Sequence, residues 1–183
     1  MIFNDTYRKY FLHQAINHPD LAHYDMPGQR IFEVIDVEEA LGDLRTNGKA
    51  NSFIFRLINY TYQIGDNFTG NAQKFINGGF IIAHYHSNRK DGQDGFFDAM
   101  LKSEKVTDEI IEKMIADSNA GHPFLNYSLN TAEGISVQPK IATGDVGYSG
   151  YLCTFHISNY WRNCITHADA PDWIDGGQTP FEL

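Results

Sequence analysis

Three histidines are the residues whose types and spacing best fit a catalytic metal centre. His84 and His86 stand two residues apart in a strand-like run, so both imidazoles share one face, and His156 lies on the polar face of a later strand. Three imidazoles that leave a coordination position open for water form the ligand set of a zinc hydrolase. The same pattern arises by chance among eight histidines, and the sequence places no acidic partner beside them. We therefore favour ordinary sheet histidines.

The other motifs that resemble chemical sites are incomplete. Asp91 to Gly95 lacks the alternating ligands and the closing Glu of a calcium loop. The glycine series that begins at Gly144 has no following helix and no Lys-Ser/Thr pair to bind phosphate. Ser149 lacks a complete nucleophile elbow, and Cys153 falls on an apolar alternation that predicts a buried, unreactive thiol. The sequence thus predicts no catalytic residue and no cofactor, which favours a protein that is not an enzyme.

Composition and charge exclude two classes of partner. The chain carries 23 acidic and 14 basic residues, a formal charge of −9, and no basic cluster. Tight nucleic-acid binding needs a basic face, so it is not expected. The apolar runs are far shorter than the roughly 20 residues that cross a bilayer, and the first ten residues do not form an export signal. We expect a soluble, cytoplasmic protein without a membrane partner.

Two helical regions can be placed from capping residues and apolar spacing. Asp5 is predicted to cap a first helix that runs to about Asn17. After a polar loop from Asn88 to Gly95, a second helical region follows in two pieces. Thr107 is the predicted N-cap of the second piece, and Asn119-Ala120-Gly121 ends it. A further short helix or turn is expected over 38–44.

Runs of β-branched and aromatic residues predict the strands. They cover 31–37, 52–63, 75–87, 135–141 and 151–157. Gly78-Gly79 inside the third run indicates a bulge or a close backbone approach, and Pro139 belongs at a sheet edge or a bulge. We expect an α+β fold, a mostly antiparallel sheet of about four to five strands packed against two or three helices. Residues 1–168 are predicted to form one domain, followed by a turn-rich tail over 169–183.

Aromatic residues near the last strand and one long loop are the candidate interaction sites. Tyr148, Tyr151 and Trp161 are suited either to the core or to an interface, where aromatic side chains serve as anchors. The loop that starts at Asp66 and Asn67 separates the two longest predicted strands. These five residues are the predicted contact positions.

The order of elements and the Gly-aromatic strand from Gly147 to Phe155 resemble the tail-terminator or tail-completion proteins of tailed bacteriophages. The resemblance spans about residues 5 to 160 and does not include the segment after Asn159. It implies an α+β protein that forms a ring, binds tail-tube or neck proteins and enters the virion. It also implies that DNA passes through the ring without being bound, which an acidic wall favours.

Three functions therefore remain open from the sequence. The first is a structural assembly protein that acts through contacts between subunits in a ring. The second is a small metal-dependent hydrolase that uses His84, His86 and His156. The third is a small-ligand binding domain with an aromatic pocket.

Overall fold

A five-stranded mixed sheet with two helices packed on it forms the described part of the protein. The computed structural model describes residues 3–21, 31–36, 38, 52–66, 72–122, 124–125, 129, 134–141 and 146–160. Its elements in chain order are α1 (Phe3–Asn17), β1 (Phe32–Ile35), β2 (Phe53–Asp66), β3 (Ala72–Ser87), α2 (Asn88–Asn119), β4 (Ser136–Lys140) and β5 (Val146–Tyr160). The predicted α+β fold is confirmed.

The strand order across the sheet is β1-β2-β3-β5-β4. β1 runs parallel to β2, and the other neighbouring pairs are antiparallel. The predicted antiparallel pairing of β2 with β3 is confirmed, as is the position of Pro139 at an edge of the described sheet. β4 is short, although a long strand was expected, because the ladder with β5 covers only Ser136 to Lys140.

Three predicted helix boundaries are wrong, and each has a local cause. α1 begins at Phe3, so Asp5 lies inside the helix and is not its N-cap. α2 continues through Thr107, whose hydroxyl donates to the carbonyl of Ser103 four residues earlier at 2.7 Å and so does not cap a new helix. The polar loop predicted before it belongs to the same helix, which kinks at Gly92, where φ is +62°. The predicted end at Asn119 is confirmed.

Several sequence predictions fall outside the described residues. They are the short helix over 38–44 beyond residue 38, the loop residues 67–71, Trp161 and the tail over 169–183. The single-domain boundary at residue 168 stays a prediction. Among the described helices, none has a stretch long and apolar enough to cross a membrane.

The two faces of the sheet are filled differently. We call the face that packs against α1 and α2 the helix face; it carries Phe80, Phe155 and the other large aromatic core residues. Phe11 of α1 lies at the centre, with its ring 5.7 Å from the rings of both Phe80 and Phe155. The other side, which we call the back face, holds a smaller apolar cluster around Ile81 and Ala83. The aromatic-rich composition is therefore concentrated between the helices and the sheet.

A β-bulge interrupts the pairing of β2 with β3 where the glycine pair predicted it. Ile58 lies opposite Gly79, but the next register pair is Thr61 with Asn77, so β2 contains one extra residue. A Cβ on Gly78 would lie 2.8 Å from the Phe155 ring, and one on Gly79 would lie 2.8 Å from the carbonyl oxygen of Cys153. Glycine is required at both positions because neighbouring groups occupy the space of a side chain.

The hydroxyl of Tyr7 reaches this bulge from α1. It donates to the carbonyl of Ile58 at 2.8 Å and accepts from the backbone N–H of Gly79 at 3.3 Å. The side chain is almost fully buried, and burial raises its pKa. One hydroxyl thus forms hydrogen bonds with backbone groups of both strands at the bulge, and these bonds hold α1 against the sheet.

Tyr7→Phe should lower the free energy of unfolding by about 1–3 kcal/mol, because it leaves buried backbone groups without their partner. Denaturant titration followed by circular dichroism measures the change. Ser136→Ala removes a hydroxyl from an exposed side chain of β4 and should change stability by less than about 0.5 kcal/mol. Equal losses in both variants would show that the hydroxyl of Tyr7 has no special role.

Gly79→Ala should destabilise the fold by about 1–3 kcal/mol, since the new methyl group meets a backbone oxygen that cannot rotate away. Thermal unfolding is the measurement. Ser136→Ala in the exposed strand β4 is the control and should leave the melting temperature close to that of the parent. A Gly79→Ala protein as stable as the control would contradict the close approach seen here.

Candidate interaction surface

The structure does not bring the three histidines of the metal hypothesis together. In the ladder of β3 with β5, His84 lies opposite Ser149, and His156 lies opposite Asn77. His84 and Asn77 are seven residues apart along β3, and side chains an odd number of residues apart point to opposite faces of a strand. His156 therefore points to the back face, whereas His84 and His86 point to the helix face. At about 3.3 Å per residue, roughly 20 Å of strand also separates them. A three-histidine metal site therefore does not form from these residues.

His86 instead joins a buried polar network that the sequence did not reveal. Its Nε2 lies 2.8 Å from the hydroxyl of Ser149, which is fully buried. The hydroxyl of Ser103 in α2 donates to the carbonyl of Ala99 at 2.8 Å and approaches the carbonyl of Ser149 at 3.2 Å. A serine beside a histidine is a nucleophile only where a substrate can reach it. At this depth the contacts are structural: His86 and Ser149 join β3 to β5, and Ser103 joins α2 to β5.

His84 lies on the same face, beside Phe53, with ring centroids 4.7 Å apart. Burial lowers the pKa of its imidazole, and the Lys102 ammonium lowers it further, while Asp98 acts in the opposite direction. The neutral imidazole is therefore favoured in the folded state. As the pH falls, the imidazole of the unfolded chain takes up a proton before that of the folded protein does. Lowering the pH therefore favours unfolding.

The free energy of unfolding should fall as the pH drops through the ordinary histidine value of 6.5. His84→Gln should remove part of this decline, because glutamine does not titrate. Denaturant titrations at several pH values give the slope, and Gln138→Ala, an exposed neutral change, should keep it in full. An unchanged slope in His84→Gln would show that His84 does not contribute.

The predicted aromatic contact residues occupy different environments. Tyr148 is buried on the back face, where its ring lies 5.7 Å from that of Tyr85 and its hydroxyl lies 2.9 Å from that of Ser52. Tyr151 is half-buried on the helix face. Burial is the main reason that its pKa is raised, and the nearby carboxylates of Glu104 and Asp108 raise the pKa further. Tyr148 is therefore a core residue, and Tyr151 presents only part of its ring to solvent.

Of the remaining predicted contact positions, the structure describes Asp66 alone. Asp66 is the last residue of β2, and β3 begins at Ala72, so residues 67–71 connect these two strands. Asn67 and Trp161 are outside the described residues.

A cluster of possible metal ligands joins the end of α1 to α2. Side-chain ligand atoms of His18, Asp20 and Glu109 lie within 4.8 Å of one another. However, the Lys105 ammonium lies 2.8 Å from Asp20 and 3.8 Å from Glu109. Nδ1 of His18 accepts the backbone N–H of Asp20, so the neutral ring carries its proton on Nε2, 2.8 Å from Glu109. The Lys105 ammonium thus already supplies the positive charge between the two carboxylates of this cluster.

A half-open cleft of about 370 Å³ lies between α1 and α2. The Asp117 carboxylate at its wall accepts hydrogen bonds from the Tyr10 hydroxyl at 3.0 Å and from the Lys113 ammonium. Burial and the nearby carboxylate raise the pKa of Tyr10. The polar groups around Asp117 therefore bind one another and link the two helices.

The surface most suited to a partner is the part of the sheet beyond the bulge, which we call the distal arm. It consists of residues 61–66 of β2, 72–77 of β3 and 156–160 of β5. Tyr62 and Ile64 project on the helix side of the arm and are 54% and 53% exposed, and Phe75 on the back side is 36% exposed. The Phe75 ring covers Gly65, where an added Cβ would lie 3.1 Å from it. The arm thus presents apolar side chains on both faces.

The arm and the strands that lead to it contain no formal charge over long stretches. Residues 57–65, 75–88 and 146–160 include no Asp, Glu, Lys or Arg, although 20% of the chain is charged. Burial explains this in the central strands, but Thr61 to Ile64, Phe75, Thr154 and His156 are exposed. This absence of charge is a sequence signal that can identify the surface once the exposed positions are known.

A groove of about 290 Å³ lies where the arm leaves the rest of the sheet, mainly on the back face. Its lining combines Gly78 and Gly79 with the apolar side chains of Ile58, Leu152 and Phe155 and with five polar residues. The polar residues, which we call the rim, are Asn59, Thr61, Asn77, Thr154 and His156. Asn59 is held by a 2.6 Å hydrogen bond to Asp36, and Asn77 by one to His156. A comparison with protein-family models and with curated proteins finds no match to this chain.

Proposed function

We propose that this protein is a structural assembly subunit that acts through contacts with copies of itself. The observation that carries the proposal is the distal arm, an exposed sheet surface with apolar side chains on both faces, whose charged residues are Asp66 and Lys74 alone. The resemblance to phage tail-terminator and neck proteins adds the form of the assembly, a ring in the virion, and its partners, tail-tube or neck proteins.

The composition of the arm is that of an interface core. Charged residues are depleted and aromatic residues are enriched at the centres of protein interfaces. Copies that each carry a formal charge of −9 repel one another except where they meet through uncharged surface. Tyr62, Ile64 and Phe75 supply apolar area at such a surface, and burying it is worth roughly 25 cal/mol per Å².

The fold presents this surface rigidly. The arm continues the hydrogen-bonded strands β2, β3 and β5, and the ladder of β3 with β5 is unbroken from Gln73 to Ser87. A preorganised contact surface loses little conformational entropy on binding, which favours association. The arm therefore offers a partner a fixed shape.

The edge of the sheet at β4 is less suited to assembly. This strand has Pro139, which lacks a backbone N–H, and Lys140, and both residue types hinder the addition of another strand at an edge. Contacts through the faces of the arm are therefore favoured over strand addition at β4. The acidic charge of the chain is compatible with a ring through which DNA passes without binding.

Light scattering on the purified protein should give a mass that is a multiple of 20.8 kDa and is maintained on moderate dilution. The apolar faces of the arm are the physical reason for this association. A monomer at every concentration would contradict the proposed function.

A further inference from the structure

We infer that the copies associate head to tail, with Tyr62 of one distal arm inserted into the groove of about 290 Å³ on the next copy. This inference rests on the proposed function and specifies its contact. The partner is a second copy of this chain, and the two surfaces that meet are different parts of it.

The arrangement of apolar residues on the arm favours two neighbours. Tyr62 and Ile64 are exposed on the helix side, and Phe75 and the groove lie on the back side. A two-fold contact through one face would bury that face and leave the other in water. A head-to-tail contact covers both faces, because each arm is then packed between the arm before it and the arm after it.

The groove fits the side chain proposed for it. A cavity of about 150 Å³ holds a benzene ring, so a groove of about 290 Å³ has room for a phenol. The apolar side chains of Ile58 and Leu152 offer contact to the ring. A buried tyrosine hydroxyl also needs a hydrogen-bond partner, and the rim supplies the hydroxyls of Thr61 and Thr154 and the imidazole of His156.

Charge and spacing are compatible with this contact. The groove lining includes no Asp, Glu, Lys or Arg, and neither do residues 61–65. Packed sheets lie about 10 Å apart, a distance that a tyrosine projecting from one sheet can bridge to the surface of the next. Two acidic copies can therefore approach through these surfaces without placing like charges face to face.

Two single variants and their mixture test the inference. Tyr62→Ser removes the inserted side chain, and Thr154→Glu places a carboxylate at the rim of the groove; both positions are exposed. Each variant alone should give the 20.8 kDa monomer by light scattering. An equimolar mixture should form heterodimers that grow no further, because Tyr62 of one variant still fits the intact groove of the other.

The controls separate this contact from the alternatives. Leu101→Ser changes a residue of α2 that is 66% exposed and should leave the parent mass unchanged. Circular dichroism and thermal unfolding confirm that the variants are folded. If Thr154→Glu assembles like the parent protein, or if the mixture stays monomeric while the parent assembles, the head-to-tail contact is wrong and the assembly function stands. If the parent protein itself is monomeric, both proposals are wrong.

Discussion

The hydrogen bonds of the Tyr7 hydroxyl are the interaction on which the rest of the described structure depends. A bulge removes regular ladder partners from β2 and β3, and buried backbone groups without partners are costly. The hydroxyl contacts Ile58 and Gly79 at this point, so one side chain compensates the irregularity and positions α1. The ring of Tyr7 also packs against Phe11, with centroids 5.3 Å apart, which connects the bulge to the aromatic core.

The sequence predicted those features that depend on the backbone preference of one or two residues. The end of α2, the bulge at Gly78-Gly79 and the edge position of Pro139 each follow from one residue type and its backbone preference. Thr107 was misassigned because the same hydroxyl can cap a helix or bond back to the preceding turn, and its neighbours in sequence do not decide between them. Gly92 produced a kink inside one helix where a loop was expected.

The candidate site could not be predicted because it depends on how strands are aligned with one another. The sequence shows that His84 and His86 share a face, but only the register with β5 shows that His156 points to the other face. The pairing of His86 with Ser149 depends on the same register. Likewise, the sequence predicts long strands but not which end the helices leave uncovered, so Tyr62 and Ile64 could not be distinguished from core residues.

The extra residue in β2 also gives the strand a place where its length can change without changing its surface. Up to Ile58, the even-numbered side chains of β2 point to the back face, whereas beyond the bulge the odd-numbered ones do. Deletion of one residue between Ile58 and Thr61 would remove the bulge and restore regular alternation, with Thr61 still opposite Asn77 and the outer side chains of β2 still on their present faces. In an evolving lineage, a codon lost here would thus be absorbed by the bulge, whereas a one-residue slip of a regular strand exchanges the side chains on its two faces.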